Sequence, residues 1–266
     1  MISGLYTAAS GLIAQTEQQD VISNNLANVN TTGYKKDRAL YITFPEVFLH
    51  RVQDEKAVIP GAGLRDLMVP IGTVGKGVQL RVDGIKPSIT EEGSFNNTEN
   101  KLDFAVKGNG MFVVNTPNGI RYTRDGSFSL DSEGRLVTKN GHAVLGQSGE
   151  IIINGSEVHV DEGGRIFVDN AEMDTFRVAL FDNATPLRKE GDNLFYTLDG
   201  QQLTEDIDVE ETKVLQGFVE SSNVNPVREM VEMITAFRAY EASQKAITAQ
   251  DQTLDKAVNE VGRTSI

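Results

Sequence analysis

Residues 226–261 read PVREMVEMITAFRAYEASQKAITAQDQTLDKAVNEV, and this stretch decides how the rest of the chain is arranged. Asn225 is a favourable N-cap, and Pro226 has the fixed φ that suits a first helical turn. No further proline interrupts the stretch, and Gly262 stands where a helix would end. At a rise of 1.5 Å per residue, the segment predicts a helix roughly 50 Å long.

Apolar residues recur along this segment at alternating spacings of three and four, which is the a/d pattern of a coiled coil. Gln244 and Asp251 are polar members of the stripe, and such residues lower stability but help to fix the register. The apolar members are Met230, Met233, Phe237, Tyr240, Ile247, Leu254, Val258 and Val261.

The N-terminal segment carries a weaker stripe with the same alternation, formed by Leu5, Ala8, Leu12, Gln15, Gln19, Ile22, Leu26 and Val29. Small residues such as Ala9 and Gly11 reduce its apolar area but let another backbone approach closely. A helix of this composition is marginal in water without packing partners. Periodicity alone leaves open whether the two helices pair within one chain, lie on the middle of the chain or contact neighbouring subunits.

Between the helices, turn dipeptides alternate with short β-prone runs such as residues 111–114 (MFVV). These dipeptides favour the positive φ of tight hairpin turns. They are Asp83-Gly84, Asn118-Gly119, Asp125-Gly126, Asn140-Gly141, Asn154-Gly155 and Asp199-Gly200. The pattern predicts an α+β protein in which residues 1–30 and 226–266 form a coiled-coil-like α domain. Residues 31–79, with scattered Pro and Gly, predict an extended connector, and residues 80–225 predict an antiparallel β domain.

Charge and composition restrict the function. The 266 residues include 25 Lys and Arg against 38 Asp and Glu, and residues 80–226 hold 13 of these bases and 25 of these acids, a net charge of −12. A β domain of that sign argues against nucleic acid and anionic membrane as partners. The chain has no Cys, which excludes disulfides and thiolate chemistry.

Targeting and chemical motifs are sparse. No apolar run is long enough to span a bilayer, and we expect no cleavable signal peptide because the N-terminus lacks a basic n-region and an apolar h-region. The three histidines, His50, His142 and His159, form no metal-ligand spacing. The Asp131 and Asp161 loops resemble fragments of calcium loops without the later bidentate Glu, so we interpret them as hairpin turns. We therefore expect no enzyme activity, cofactor or metal.

Four stretches resemble one family. Residues 20–35 (DVISNNLANVNTTGYK) are similar to the N-terminal signature of bacterial flagellar rod and hook proteins. Residues 102–112 (LDFAVKGNGMF), 122–128 (YTRDGSF) and 217–225 (GFVESSNVN) agree with it. The chain resembles a flagellar basal-body rod protein of the FlgF/FlgG type. Residues 44–49 (FPEVFL) and 253–263 (TLDKAVNEVGR) are more similar to proximal-rod FlgF, with distal-rod FlgG or a hook-type subunit as the alternative.

The resemblance implies a structural subunit that polymerises through its terminal helices into the axial drive shaft. Its expected partners are copies of itself, other rod and axial proteins, and the flagellar type III export apparatus, which would deliver it to the periplasmic part of the basal body. Outside this family, a β-domain protein that binds or cleaves glycans is the alternative. The expected interface residues are Leu5, Leu12, Ile22, Leu26, Val29, Met230, Met233, Phe237, Tyr240, Ile247, Leu254 and Val258. The signature residues are Asn24, Asn25, Leu26, Ala27, Asn28, Thr32, Gly33, Asn223, Val224 and Asn225.

Overall fold

A computed structural model describes residues 2–43, 47–52, 68–74, 78–155, 157–181, 187–197 and 212–261. A long helix begins the chain and another ends it, and all strands lie between them. The elements are α1 (Ile2–Ala27), β1 (Asp37–Thr43), β2 (Val47–Val52), β3 (Met68–Val74), β4 (Val78–Pro87), β5 (Phe95–Asn97), β6 (Phe104–Lys107), β7 (Gly110–Thr116), β8 (Gly119–Thr123), β9 (Ser129–Leu130), β10 (Leu136–Val137), β11 (Ala143–Val144), β12 (Val158–Val160), β13 (Arg165–Val168), β14 (Ala171–Thr175), β15 (Val178–Leu180), β16 (Leu187–Gly191), β17 (Leu194–Thr197), β18 (Lys213–Gln216), β19 (Phe218–Glu220) and α2 (Pro226–Val261). The predicted α+β class is confirmed.

Asparagine side chains form hydrogen bonds at the end of α1 and at the start of α2. The Oδ1 atom of Asn225 accepts a hydrogen bond from the backbone N–H of Arg228 at 3.1 Å, which confirms the predicted N-cap of α2. At the end of α1, the side-chain amide of Asn28 donates to the carbonyl oxygen of Asn24 at 2.9 Å. The Oδ1 atom of Asn28 also accepts from the Thr31 hydroxyl at 3.2 Å, so this residue turns the chain out of the helix.

The largest sheet has eight strands in the order β16-β17-β8-β7-β11-β10-β9, with β15 also paired to β7. Strands β12, β13 and β14 form a three-stranded sheet, and β18 pairs with β6 while β19 pairs with β5, all antiparallel. The core beneath these sheets contains a group of four phenylalanines. Its closest ring centroids are 5.0 Å apart for Phe104 and Phe176 and 5.2 Å apart for Phe112 and Phe128.

The predicted turns have mixed outcomes. Asn118-Gly119 connects β7 to β8, and Asn140-Gly141 connects β10 to β11, as expected. Asp83-Gly84 lies inside β4, so that prediction is wrong; the β-prone residues on both sides extend the strand through the dipeptide. Asp199-Gly200 lies outside the described residues.

Two tight turns that carry no Gly close the β13–β14 and β16–β17 hairpins. Asp169 and Asn170 have φ of 49° and 68°, and Asp192 and Asn193 have φ of 50° and 56°. Consecutive positive φ values are typical of type I′ turns, and Asp and Asn tolerate this region better than other side chains.

The chain forms two compact units, and the boundary between them falls within both helices. The first unit contains residues 1–23, 39–85 and 230–266, and the second contains residues 24–38 and 86–229. In the first unit β1 pairs with β4 and β2 pairs with β3, so the segment predicted as an extended connector contains paired strands. The division into an axial α domain, a connector and an outer β domain stays a prediction. Neither described helix is long and apolar enough to cross a membrane.

Candidate functional site

The buried side-chain amide of Asn25 connects three parts of the second unit through hydrogen bonds. The Oδ1 atom of Asn25 accepts hydrogen bonds from the Asp37 backbone N–H at 2.8 Å and from the Tyr34 hydroxyl at 3.2 Å. Its Nδ2 atom donates to the Asp37 carbonyl oxygen at 2.9 Å and to Glu229 Oε2 at 3.4 Å. Asn25 therefore joins the last turn of α1 to the start of β1 and to the first turn of α2. We call this region, residues 24–37 with residues 88–93 and 220–229, the junction.

Asn223, which lies shortly before α2, also forms side-chain hydrogen bonds to backbone groups of the junction. Asn223 Oδ1 accepts from the backbone N–H of Lys36 at 2.7 Å. Its Nδ2 atom donates to the carbonyl oxygens of Ser88 and Glu91, each at 3.0 Å. The neighbouring Val224 is buried. These contacts satisfy backbone groups that belong to no strand.

The junction encloses a buried ionic triad of Lys35, Arg124 and Glu220, each with only 1% of its side chain exposed. Lys35 Nζ lies 2.6 Å from Glu220 Oε1, and Arg124 Nη1 lies 3.3 Å from Glu220 Oε2. Glu220 Oε1 also accepts from the backbone N–H of Gly93 at 2.8 Å, and Arg124 Nη1 donates to the Val106 carbonyl oxygen at 2.8 Å.

The charges in the triad do not cancel, because two cations share one carboxylate. Burial lowers the pKa of Lys35 below its usual value, and the nearby Arg124 guanidinium lowers it further. The Glu220 carboxylate opposes this shift by stabilising the ammonium form. Burial also lowers the pKa of Arg124, again opposed by Glu220. Glu220 therefore offsets part of the free-energy cost of burying the two cations.

Gly33 and Thr32 attach the junction to the β strands. Gly33 has φ of +66°, and a Cβ atom there would lie 2.3 Å from the backbone nitrogen of Asp125, so a side chain does not fit. The Gly33 N–H donates to the Glu220 carbonyl oxygen at 2.8 Å. The Thr32 hydroxyl donates to Asp125 Oδ1 at 2.7 Å. Thr32 and Gly33 of the family signature therefore occupy hydrogen-bonding and close-packing positions.

Tyr34 lies at the centre of the junction. Its hydroxyl donates to Asn24 Oδ1 at 2.7 Å, and the Lys189 ammonium lies 4.0 Å from the ring centroid. Burial raises the pKa of Tyr34 well above its usual value, and the neighbouring Asp37 carboxylate raises it further. Lys189 Nζ also lies 2.9 Å from Asp37 Oδ2, so charged groups surround a phenol that stays protonated.

In the first unit the two terminal helices pack against each other at small residues. A Cβ atom on Gly4 would lie 2.4 Å from Nε2 of Gln250, and one on Gly11 would lie 3.8 Å from Oγ of Ser243. Along α2, Ser243 and Gln250 are spaced by seven residues, and Ala236, seven residues earlier, is buried. The face of α2 that meets α1 therefore combines small and polar residues with the half-buried Tyr240, Ile247 and Leu254 of the a/d stripe, which alternate with them at spacings of three and four. The other stripe members Met230, Phe237 and Val258 are exposed.

The structure separates the predicted interface residues into three groups. Leu5, Met230, Phe237 and Val258 are exposed, whereas Ile22 is buried in the single chain and is therefore unavailable to a neighbour. Half-buried residues form the third group: Leu12, Leu26, Val29, Met233, Tyr240, Ile247 and Leu254.

Sequence reasoning missed several important residues. Ile13, Val231 and Ile234 are 63%, 58% and 54% exposed, and each lies next to the a/d stripe, so a wheel of the whole helix would have found them. Lys35, Arg124 and Glu220 all occur in the quoted motifs. The sequence carries no signal that distinguishes them from the other charged residues of these motifs.

Three segments of the chain match models of one protein family. Residues 5–35 match "Flagella basal body rod protein", residues 105–168 match "Flagellar hook protein FlgE/F/G D1 domain", and residues 215–260 match "Flagellar basal body rod FlgEFG protein C-terminal". The flagellar basal-body rod protein FlgG of Buchnera aphidicola subsp. Baizongia pistaciae is 36% identical over 96% of this chain and 98% of its own length. The chain belongs to the flagellar basal-body rod FlgE/F/G family.

Two further relatives span almost the whole length of this family member. FlgG of Borreliella burgdorferi is 35% identical over 97% of this chain and 98% of that protein. The flagellar hook-basal body complex protein FlhO of Bacillus subtilis is 33% identical over 99% of this chain and all of that protein. The preference for FlgF is not supported, because these relatives are named FlgG and FlhO. Part of the evidence for FlgF, residues 44–46, also lies outside the described residues.

Membership of the family determines the class of function. The protein is a structural axial subunit of the basal-body rod, and it assembles with other rod and basal-body proteins. It is not an enzyme, since the members of this family are structural. The buried junction is consistent with such a role, because its contacts are directed inwards and fix the shape of the second unit.

Proposed function

We propose that the chain is an FlgG-type subunit of the distal rod, and that it joins its neighbours through the exposed faces of its terminal helices. The names of the full-length relatives support the distal type. The observation that carries the helix interface is a group of apolar side chains on α2. Met230, Val231, Ile234 and Phe237 are each more than half exposed, and we call them the α2 patch.

The α2 patch suits an assembly surface because it remains exposed after the helices have paired. Burial of such side chains stabilises by about 1.5–3 kcal/mol each when they start fully exposed. Since roughly half of each is already covered, the patch offers several kcal/mol per subunit, enough to offset part of the cost of association. Soluble monomers rarely leave a contiguous apolar patch without a partner.

Export of the unfolded chain through the flagellar type III apparatus into the periplasm completes the proposal. The contact between α1 and α2 leaves large apolar side chains of both helices exposed, so the ends depend on neighbours for stability. A binding partner that contacts only the folded form shifts the equilibrium towards folding. Assembly at the growing end of the rod therefore orders the helices after export.

The position of the subunit in isolated basal bodies tests this proposal. A short epitope inserted at the exposed Asn140-Gly141 turn leaves the packing undisturbed, because a Cβ atom on Gly141 meets nothing within 4 Å. Gold-labelled antibody should mark the part of the straight rod next to the hook. Label near the inner membrane end would indicate a proximal-rod subunit instead, and label along the curved hook would reject both rod assignments.

A further inference from the structure

The Asn-Gly dipeptides of the second unit share a chemical property beyond their conformational freedom. Where Gly follows Asn, the absent Cβ lets the next backbone nitrogen approach the side-chain carbonyl carbon, and the side-chain amide can be lost. Access to water does not rank the sites, because all four asparagines are exposed. The structure distinguishes them by the contacts of the reacting atoms. The four sites are Asn109-Gly110, Asn118-Gly119, Asn140-Gly141 and Asn154-Gly155.

At two of the sites the fold holds the nitrogen that would attack. Gly110 is buried at the start of β7, where it pairs with Leu180 of β15. The Gly141 N–H donates to the Thr138 carbonyl oxygen at 2.9 Å inside its turn. Each nitrogen has to give up its position in the fold before it can attack, so the reaction is slowed at both.

At Asn118 the fold holds the group that would leave. Its Nδ2 atom donates to Glu190 Oε1 at 2.9 Å, and its backbone N–H donates to the Thr116 hydroxyl oxygen at 3.3 Å. Gly119 lies opposite Thr116 at the end of the β7–β8 hairpin. The Asn118 side chain therefore has to leave Glu190 before its carbonyl carbon can turn towards the next nitrogen.

Asn154-Gly155 lacks all of these restraints. Both residues are exposed and lie in the loop before β12. Among the residues that the structure describes, neither the Asn154 side chain nor the Gly155 N–H forms a hydrogen bond. We propose that Asn154 is a site of spontaneous deamidation in the folded protein, and that the other three sites are protected by the fold.

The reaction needs only the chain and water. The Gly155 nitrogen forms a bond to Cγ of Asn154, the bond between Cγ and Nδ2 breaks, and Nδ2 leaves as ammonia with the proton that Gly155 gives up. Water then opens the cyclic imide at either carbonyl carbon, which gives an aspartate or an isoaspartate at this position. Because the ammonia escapes, the amide is not regenerated, and the converted fraction rises with the age of the subunit.

The isoaspartate product does not fit the native loop. Its backbone is longer by one methylene, whereas a Cβ atom on Gly155 would already lie 2.3 Å from Val168 Cγ1. This contact is on the Cα side of Gly155 and does not hold its nitrogen. The loop is also tied to Asp169, whose Oδ1 atom accepts from the Glu157 N–H at 3.1 Å. Conversion should therefore loosen the link between β12 and β13.

Timed incubation of the folded full-length chain in mildly alkaline buffer, followed by digestion and peptide mass spectrometry, measures conversion at each site. The same incubation in concentrated urea gives the rate in the unfolded chain. The ratio of the two rates at one site cancels the effect of its sequence neighbours. A group that must first break a hydrogen bond reacts about two- to tenfold more slowly. We expect at least that protection at Asn109, Asn118 and Asn140, and equal rates in the folded and unfolded chain at Asn154.

Protection of Asn154 as strong as that of Asn140 would overturn the inference, and so would faster conversion at any of the three other sites in the folded chain. Asn154→Gln is the matched control, because its longer side chain has to close a larger ring and should stay unconverted. Glu190→Ala should raise the rate at Asn118 about two- to tenfold and leave Asn154 unchanged. An unchanged rate at Asn118 would show that these hydrogen bonds do not set the order of the sites.

Discussion

Glu220→Gln tests the importance of the buried triad most directly. The substitution keeps the size and shape of the side chain but removes its charge. Lys35 and Arg124 then remain buried, each with 1% exposure, without the carboxylate that contacts both of them. The contacts at 2.6 Å to Lys35 and 3.3 Å to Arg124 lose their ionic character, and the new amide N–H groups face donors.

Removal of one partner from a buried ion pair destabilises a protein by about 3–5 kcal/mol. Here two cations depend on one carboxylate, so we expect the loss to reach the upper part of that range. With a urea m-value of about 3 kcal/mol/M, a loss of about 4–5 kcal/mol should lower the unfolding midpoint by roughly 1.3–1.7 M.

Urea unfolding of the purified full-length variant, followed by circular dichroism of the β structure, measures this change. Glu162→Gln is the matched control, because Glu162 pairs with Lys213 at 2.6 Å but is 65% exposed. Surface pairs contribute about 0–1 kcal/mol, so the control should hardly shift the midpoint. A loss of less than about 1 kcal/mol for Glu220→Gln would contradict the reasoning, since that is the range of an exposed pair.

Three other substitutions give separate tests. Gly33→Ala should lower the free energy of unfolding by about 1–2 kcal/mol for its positive φ and by a further 1–3 kcal/mol for the clash with Asp125. Gly141→Ala has open space around it and should lose only the 1–2 kcal/mol that comes from its positive φ, as measured by thermal unfolding. Tyr34 has a pKa raised above 10.0, so it stabilises the folded state below that pH and loses this contribution as the pH rises above it. Tyr34→Phe should therefore flatten the fall in stability that urea titrations detect at alkaline pH, and an unchanged slope would refute the assignment. Phe237→Asp should abolish rod assembly while leaving export intact, as judged by motility and by secreted protein, whereas the exposed Ala246→Asp should remain motile.

The sequence was sufficient for the helices because their signals are local. An Asn225 cap followed by Pro226 and an uninterrupted periodic run fixes where α2 begins within one turn. Which face of α2 contacts α1 could not be predicted in this way. Hydrophobicity favours the whole a/d stripe, but close approach at Gly4 and Gly11 brings Gln250 and Ser243 to α1 and leaves part of the stripe exposed.

The junction was beyond sequence reasoning for a different reason. Lys35, Arg124 and Glu220 come from distant parts of the chain, and no spacing relates them. Their association follows from strand pairing, since β18 and β19 return to β6 and β5. A residue such as Asn25 is visible as a poor helix former, but its four hydrogen bonds depend on the tertiary fold.

The spacing of the ionic triad along the chain also limits when the junction can form. Its members span residues 35 to 220, more than two thirds of the 266-residue chain, so no shorter segment of the chain can close the junction. Until all three segments are present together, their charged groups remain hydrated and the junction stays open. Under the proposed export of the unfolded chain, the position of Glu220 therefore delays closure of the junction until the segment from Lys35 to Glu220 has emerged.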